Sequence, residues 1–187
     1  MLDELHQEIR QCQRCELYRS RTNVVPGEGN KKTKVFFVGE APGEQEDIQG
    51  RPFVGQAGKL LTQLLSIISL SRSDVFIGNV LKCRPPLNRD PLPSEIETCK
   101  DYLIAQIAII KPKIICPLGN FALKTLLRKD LSISKAHGKI FRKNEILYLP
   151  MYHPAALLHQ SSASLKQAMR EDMRKLGRIL EQPDLAE

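Results

Sequence analysis

Four of the chain's five cysteines stand at spacings suited to ligation. Cys12 and Cys15 form a C-x2-C pair, and Cys83 and Cys99 bracket fifteen residues that include a proline-rich loop. Four thiolates suit a tetrahedral zinc or a 4Fe-4S cluster, both soft or borderline-soft centres held by cysteine sets, and spacing alone leaves the two open. In a reducing compartment such spacings read as metal ligation rather than as a disulfide framework. The bland alternative is four small buried hydrophobes. Cys116, between Ile115 and Pro117 in an apolar run, has no partner nearby in sequence and reads as core.

A second set of residues lies on Gly- and Pro-rich turns. GEAPGEQED, from Gly39 to Asp47, leads into RPFVG, from Arg51 to Gly55, so two turns present acidic groups and one aromatic, Phe53. The stretch lacks the GKS or GKT ending of a phosphate-binding P-loop and is not a G-x-G-x-x-G fingerprint. Asn79 closes the run VFIGNV, and His153 opens HPAALL. Each has a bland reading: Phe53 as a core cap, Asn79 as a turn residue bonding its own backbone, His153 as a loop histidine. Glu44, Glu46 and Asp47 read as a solvated face rather than a metal site.

Four short runs rich in β-branched and aromatic residues recur: VFFVG at 35–39, VFIGNV at 75–80, IICPLG at 114–119 and ILYLPMY at 146–152. They read as buried parallel strands. Helical patterns separate them at 58–68, 93–110 and 120–129, and this alternation predicts a doubly wound sheet with helices on both faces. A last helix over roughly 163–181 puts Leu165, Met169, Met173, Leu176 and Leu180 on one stripe, leaving a basic face. GEAPG, CRPP and HPAAL all follow strands, as loops at the carboxyl edge of a parallel sheet do, and that edge is where open α/β folds bind ligands.

At 187 residues one domain spanning 1–187 is expected. The formal charge of +7 favours a polyanionic partner over a neutral metabolite. Lys124, Arg128, Lys129, Lys135, Lys139, Arg142 and Lys143 gather against only Asp130 between residues 124 and 143. Leu157 and Leu158, beside His159 and Gln160, form a candidate apolar wedge for a DNA groove, with packing as the equal alternative. No apolar run reaches the ~20 residues that cross a bilayer, and MLDELHQEIR lacks the order of a signal peptide. A cytoplasmic, nucleoid-associated monomer without a membrane partner is expected.

Taken together, GEAPGEQED with RPFVG, GNVLKCRPP, HPAALL and the cysteine frame resemble the family 4 uracil-DNA glycosylases, the iron–sulfur branch of that superfamily. The likeness runs from Cys12 to about Arg174. It implies an α/β/α sandwich around a four-stranded parallel sheet, with the N-terminal segment tied down by a 4Fe-4S cluster on Cys12, Cys15, Cys83 and Cys99. It implies hydrolysis of the bond between uracil and deoxyribose in single- or double-stranded DNA, as the first step of base excision repair. A replication clamp or an abasic-site nuclease would be a partner. The resemblance gives Phe53 as the stacking face, Asn79 as reader of the polar edge of the base, and His153 as the group beside O2. Glu40 stands near the sugar and the attacking water, with Gly39 and Ala41 in the same pocket and Glu46 crowding C5 against thymine.

Such chemistry needs these residue types. An extruded base is recognised by stacking and by hydrogen bonds to its edge, and an amide offers both the donor and the acceptor that uracil O4 and N3–H require. The better-known branch has GQDPYH where this chain has GEAPGE, so Ala41 stands where that branch keeps its water-activating Asp. Two alternatives remain open at this stage: a glycosylase with another base preference, or a non-catalytic metal module that binds nucleic acid.

Overall fold

A computed structural model of the chain describes residues 1–127, 130–159 and 162–182. Its centre is a mixed sheet built from strands β1 (Glu28–Gly29), β2 (Val35–Gly39), β3 (Phe76–Asn79), β4 (Ile114–Pro117), β5 (Phe141–Lys143) and β6 (Ile146–Tyr148). Their order is β1-β3-β2-β4-β6-β5. The middle four run parallel, as their apolar sequences require, whereas β1 pairs antiparallel with β3 and β5 with β6. The expected four-stranded sheet is therefore six-stranded. Both additions escape pattern reading, since β1 has two residues and β5 is the polar triplet FRK. The turn Asn144–Glu145 joins β5 to β6 with both residues at positive φ, the geometry that matches strand twist in a two-residue hairpin.

β2 matches its apolar run, whereas β3, β4 and β6 are shorter than theirs. Past the end of β6 at Tyr148 the Leu149 N–H still donates to the Ile115 carbonyl and the Met151 N–H to the Pro117 carbonyl, each at 2.9 Å, with an isolated bridge between Leu118 and Met151.

Eight helices surround the sheet among the described residues: α1 (Leu2–Gln11), α2 (Glu44–Gln49), α3 (Gln56–Ser66), α4 (Pro93–Ile110), α5 (Asn120–Leu126), α6 (Ile133–Ala136), α7 (Ala156–His159) and α8 (Ala163–Glu181). Alternation along β2 divides the core into two layers. Val35 and Phe37 face Leu61 and Leu65 of α3 and Met173 and Leu176 of α8. Phe36 and Val38 face Ile9 of α1, Leu103 of α4 and Ala122 of α5. Phe36 and Phe37 are fully buried, and each contributes about 1.5–3 kcal/mol by leaving water. The three-layer expectation holds, and Cys116 lies in the core with burial pushing its thiol far up. The predicted stripe of α8 overlooks Ile179, which is buried, while Leu165 and Leu180 pack only partly.

Helix ends follow local chemistry. α4 begins at Pro93, a residue preorganised for the first helical position, and the Glu95 carboxylate accepts from the Leu92 N–H at 2.8 Å. Ser162 caps α8 by accepting from the Leu165 N–H. Neither α1 nor α2 was expected. α2 has six residues, too few for a period to show, and it corrects the solvated acidic face: Asp47 is buried and accepts from the Thr22 and Asn23 N–H groups.

α3 seats directly on the turn that precedes it. A Cβ at Gly58 would lie 1.8 Å from the Phe53 carbonyl oxygen and 2.0 Å from its carbon. Alanine is the better helix former by about 1 kcal/mol, but rigid backbone atoms cannot yield to it. Gly58→Ala is therefore expected to destabilise by about 1–3 kcal/mol, the usual cost of overpacking. Thermal unfolding should show the midpoint falling by roughly 2–4 °C per kcal/mol for a chain of this size.

Candidate active site

The loops after β2, β3 and β6 meet at the carboxyl edge of the sheet and enclose a cavity of about 330 Å³, at the lower end of the range for small-ligand pockets. Glu40, Ala41, Glu46, Phe53, Asn79 and His153 all line it. Sequence reasoning thus named residues that the fold brings to one place. Gly39, expected in the same pocket, is not among the residues that line it and lies behind them. It lies opposite Asn79 in the β2–β3 register, and a Cβ there would stand 2.4 Å from Asn79 Oδ1 and 2.6 Å from Phe53 Cζ.

Phe53 is held at φ +51, a left-handed conformation costly for a residue with a Cβ. Two charged side chains impose it. Arg72 donates to the Phe53 carbonyl at 2.8 Å and to the Pro52 carbonyl at 2.6 Å, and Glu28 in turn accepts from Arg72 at 2.6 Å. On the other side, Glu46 Oε1 accepts from the Val54 and Gly55 N–H groups, each at 2.8 Å, while its Oε2 accepts from Gly43 N–H. Glu46 is thus a clasp between two turns as well as a wall residue. Arg72 and Glu28 were missed, since they belong to no motif and reach Phe53 only through the fold.

Asn79 is 1% exposed, and its Oδ1 is the buried side-chain polar atom left without a partner among the described residues. An orphaned buried acceptor costs about 1–3 kcal/mol unless something else bonds to it, so the amide is poised for a ligand. The turn-residue reading of Asn79 fails, because no hydrogen bond of its side chain serves the local backbone.

Half-buried His153 does serve local backbone: its Nδ1 accepts from the Ala155 N–H at 3.1 Å. Burial pushes its pKa down to about 4, with Glu46 acting weakly the other way. At neutral pH the ring is uncharged, and with Nδ1 accepting, the proton must sit on Nε2 as a donor. The ring lies 5.5 Å from that of Phe53, tilted by 32°. Glu40 is half-buried, and burial, helped by the charge of Asp90, pushes its pKa up to about 7.

The pocket wall also includes Asn88, Arg89 and His159, which sequence reasoning did not single out. Of the two wedge candidates, Leu157 packs against the core and Leu158 on α7 is 52% exposed. Gln160, Arg128 and Lys129 lie outside the described residues. Within the basic stretch, Lys143 donates to the Leu126 carbonyl and so secures the fold.

On the far side of Asn79 the four cysteines line one small enclosed space with Arg21, Lys82 and Tyr102. Arg21 Nη1 donates to Cys83 Sγ at 3.1 Å, and Lys82, 1% exposed, donates to the Asn79 carbonyl and to Gln106 Oε1, each at 2.7 Å. Burial raises the thiols of Cys15 and Cys83 and pushes that of Cys99 to about 11. Among the described residues no three His, Cys, Asp or Glu side chains converge as ligands of one ion do. The cysteines line a space rather than surround a point. Soft donors flanked by the buried Lys82 and the partly buried Arg21 fit an anionic thiolate-bound group.

The raised Glu40 carboxyl has a consequence for stability. Between about pH 4.5 and 7 the unfolded chain has lost a proton that the folded protein retains, so stability falls as pH rises through that window. Glu40→Gln is expected to raise the thermal midpoint at pH 8 and to leave it unchanged at pH 4, as differential scanning calorimetry would read.

A profile of the uracil DNA glycosylase superfamily matches residues 26–177. The type-4 uracil-DNA glycosylase of Archaeoglobus fulgidus is 46% identical to this chain over 186 residues, covering 95% of the chain and 92% of the relative. That of Saccharolobus solfataricus is 49% identical, covering 96% and 86%. That of Thermotoga maritima is 45% identical, covering 94% and 92%. With the likeness extending along nearly the whole molecule, the chain belongs to the uracil DNA glycosylase superfamily, among its type-4 members.

Proposed function

We propose that this chain is a uracil-DNA glycosylase, working as one domain over residues 1–187, that extrudes deoxyuridine into the cavity and hydrolyses its glycosidic bond. The observation that carries the reading is the unpartnered Asn79 Oδ1 beside a neutral His153 whose Nε2 donates, with Phe53 between two turns in the same small cavity. In the bound state uracil stacks on Phe53. Its N3–H donates to Asn79 Oδ1, and the Asn79 amide N–H donates to O4, while Glu46 crowds C5. Cytosine, which offers neither N3–H nor an acceptor at position 4, leaves buried groups unpaired.

Bond cleavage sends the electron pair to the base, and the sugar gains oxocarbenium character. His153 Nε2–H donates to O2, where the negative charge collects, a donor that costs no reorganisation because the fold already holds it. Ionised Glu40 stabilises the cationic sugar and takes a proton from the water that attacks C1′, leaving uracil and an abasic site. Its pKa near 7 suits a group that must accept a proton at neutral pH. Ala41 offers no such group, so the carboxylate comes from the neighbouring position.

Cys12, Cys15, Cys83 and Cys99 would hold a 4Fe-4S cluster, which would supply a structural staple between the N-terminal segment and the start of α4. No helix among the described residues is long and apolar enough to cross a membrane. We place the enzyme, as a monomer, in the cytoplasm at the nucleoid, where its DNA substrate lies. A replication clamp or an abasic-site nuclease is the partner such a product calls for.

Incubation with a uracil-containing oligonucleotide followed by alkali should cut the strand at the uracil, and an intact strand overturns the reading. His153→Ala should slow the chemical step by roughly 2–4 kcal/mol in single-turnover kinetics, with little loss of DNA affinity. Asn79→Asp should abolish most uracil excision, since an ionised carboxylate cannot donate to O4 and instead suits cytosine N4; near wild-type excision would remove Asn79 from base reading.

Anaerobically purified protein should be brown, with absorbance near ~400 nm, and Cys116→Ser should keep that colour while Cys83→Ser loses it. Colourless protein carrying stoichiometric zinc would replace the cluster with a zinc site.

A further inference from the structure

We infer that Arg72, aligned by Glu28, is a positioning residue for base excision that holds the Phe53 ring in place from outside the cavity, an inference that rests on the glycosylase reading above. Neither Arg72 nor Glu28 lines the cavity, so both act on the base through the turn that carries the ring. Glu46, which grips the other side of that turn, is also a wall residue, and its loss would mix two effects.

The turn needs an outside hold. At φ +51 Phe53 occupies a region that a residue with a Cβ leaves unless its surroundings fix it. Arg72 Nη1 donates to the Phe53 carbonyl at 2.8 Å, and Nη2 donates to the Pro52 carbonyl and to Glu28 Oε1, each at 2.6 Å. One planar guanidinium thus clamps two successive peptide units while a carboxylate fixes its plane, a fork that a lysine ammonium does not reproduce.

Two further reaches of chain serve the clamp. Glu28 stands between Gly27 and Gly29, at φ +125 and +126, and a Cβ on Gly29 would lie 2.0 Å from the Val75 carbonyl oxygen. These glycines let β1 lie against β3 with Glu28 opposite Ile77, which brings the carboxylate to Arg72. Arg51 donates to both oxygens of Glu28, at 2.7 and 3.2 Å, and so keeps the carboxylate turned toward the pair. Arg72 itself rides on a closed turn: the Ser71 N–H donates to Asp74 Oδ2 at 2.8 Å, the Asp74 N–H to the Ser71 carbonyl at 3.1 Å, and the Thr33 hydroxyl to the Asp74 carbonyl at 2.8 Å. The short edge strand and the loop before β3 share one task, which is to place an aromatic ring before the base arrives.

The test is single-turnover release of uracil from a single-stranded oligonucleotide, read as a double-mutant cycle with Phe53. Arg72→Met keeps the aliphatic stem and removes the fork. It should slow release about tenfold to a hundredfold, the scale of an ångström's misplacement, and weaken inhibition by free uracil, while affinity for the abasic product strand is retained. In a Phe53→Ala chain the same substitution should slow release by less than about twofold, because no ring is left to place. Glu28→Gln should show a smaller loss with the same dependence on the ring, and Arg72→Lys should recover part of what Arg72→Met loses. Equal losses with and without the ring, or wild-type release by Arg72→Met, overturn the positioning role. Where Arg72→Met gives no folded protein by circular dichroism, Arg72→Lys and Glu28→Gln go through the same cycle under the same criteria, and misfolding of all three assigns the pair to stability alone and overturns the role. Wild-type protein that releases no uracil overturns the glycosylase reading, and the positioning role with it.

Discussion

The pocket depends on a missing side chain. Strands β2 and β3 run parallel in a register that sets Gly39 opposite Asn79, and Phe53 must reach the same spot from the following turn. With only hydrogen at Gly39, the amide and the ring share the space; a single Cβ would stand at 2.4 and 2.6 Å from them. Interiors are packed to crystal density, so that volume could not be recovered by small adjustments elsewhere. The Asn79 amide, the Phe53 ring and the bare Gly39 backbone are therefore one packing solution.

The strain that this solution stores at Phe53 is balanced by charge. The Glu28–Arg72 pair and the Glu46 carboxylate grip the backbone on either side of a residue that would otherwise leave the left-handed region. Because these groups are partly buried, their hydrogen bonds are worth more than surface ion pairs would be. The left-handed turn at Leu87 and Asn88 is held differently, by backbone bonds from the Asn88 and Arg89 N–H groups to the Pro85 and Pro86 carbonyls.

A buried polar chain joins the pocket to the N-terminal segment. Lys82 donates to the Asn79 carbonyl and to Gln106, and the Gln106 amide donates to the Pro26 carbonyl and meets His6 of α1 at 3.0 Å. Burial keeps His6 neutral, pushing it down to about 4, so its ring can accept from the amide. Lys82 also lines the cysteine-bounded space, and its ammonium group bonds the strand end that carries Asn79.

Local signals carried much of this protein. Runs of β-branched residues determined the four parallel strands, Gly and Pro after them determined the functional edge, and cysteine spacing singled out the four thiols from the strand-bound Cys116. All of these depend on residues within a few positions of one another, where periodicity and turn chemistry are legible. What the tertiary structure decided lies in long reaches of chain: Arg72 on Phe53, Lys82 on Gln106, and His6 on Gln106 across a hundred positions. The conversion of Asp47 from a presumed surface charge into a buried acceptor, and the partial packing of Leu157 beside an exposed Leu158, belong there too. A side chain's burial and partners are set by which elements the sheet brings together, and no local pattern encodes that distance.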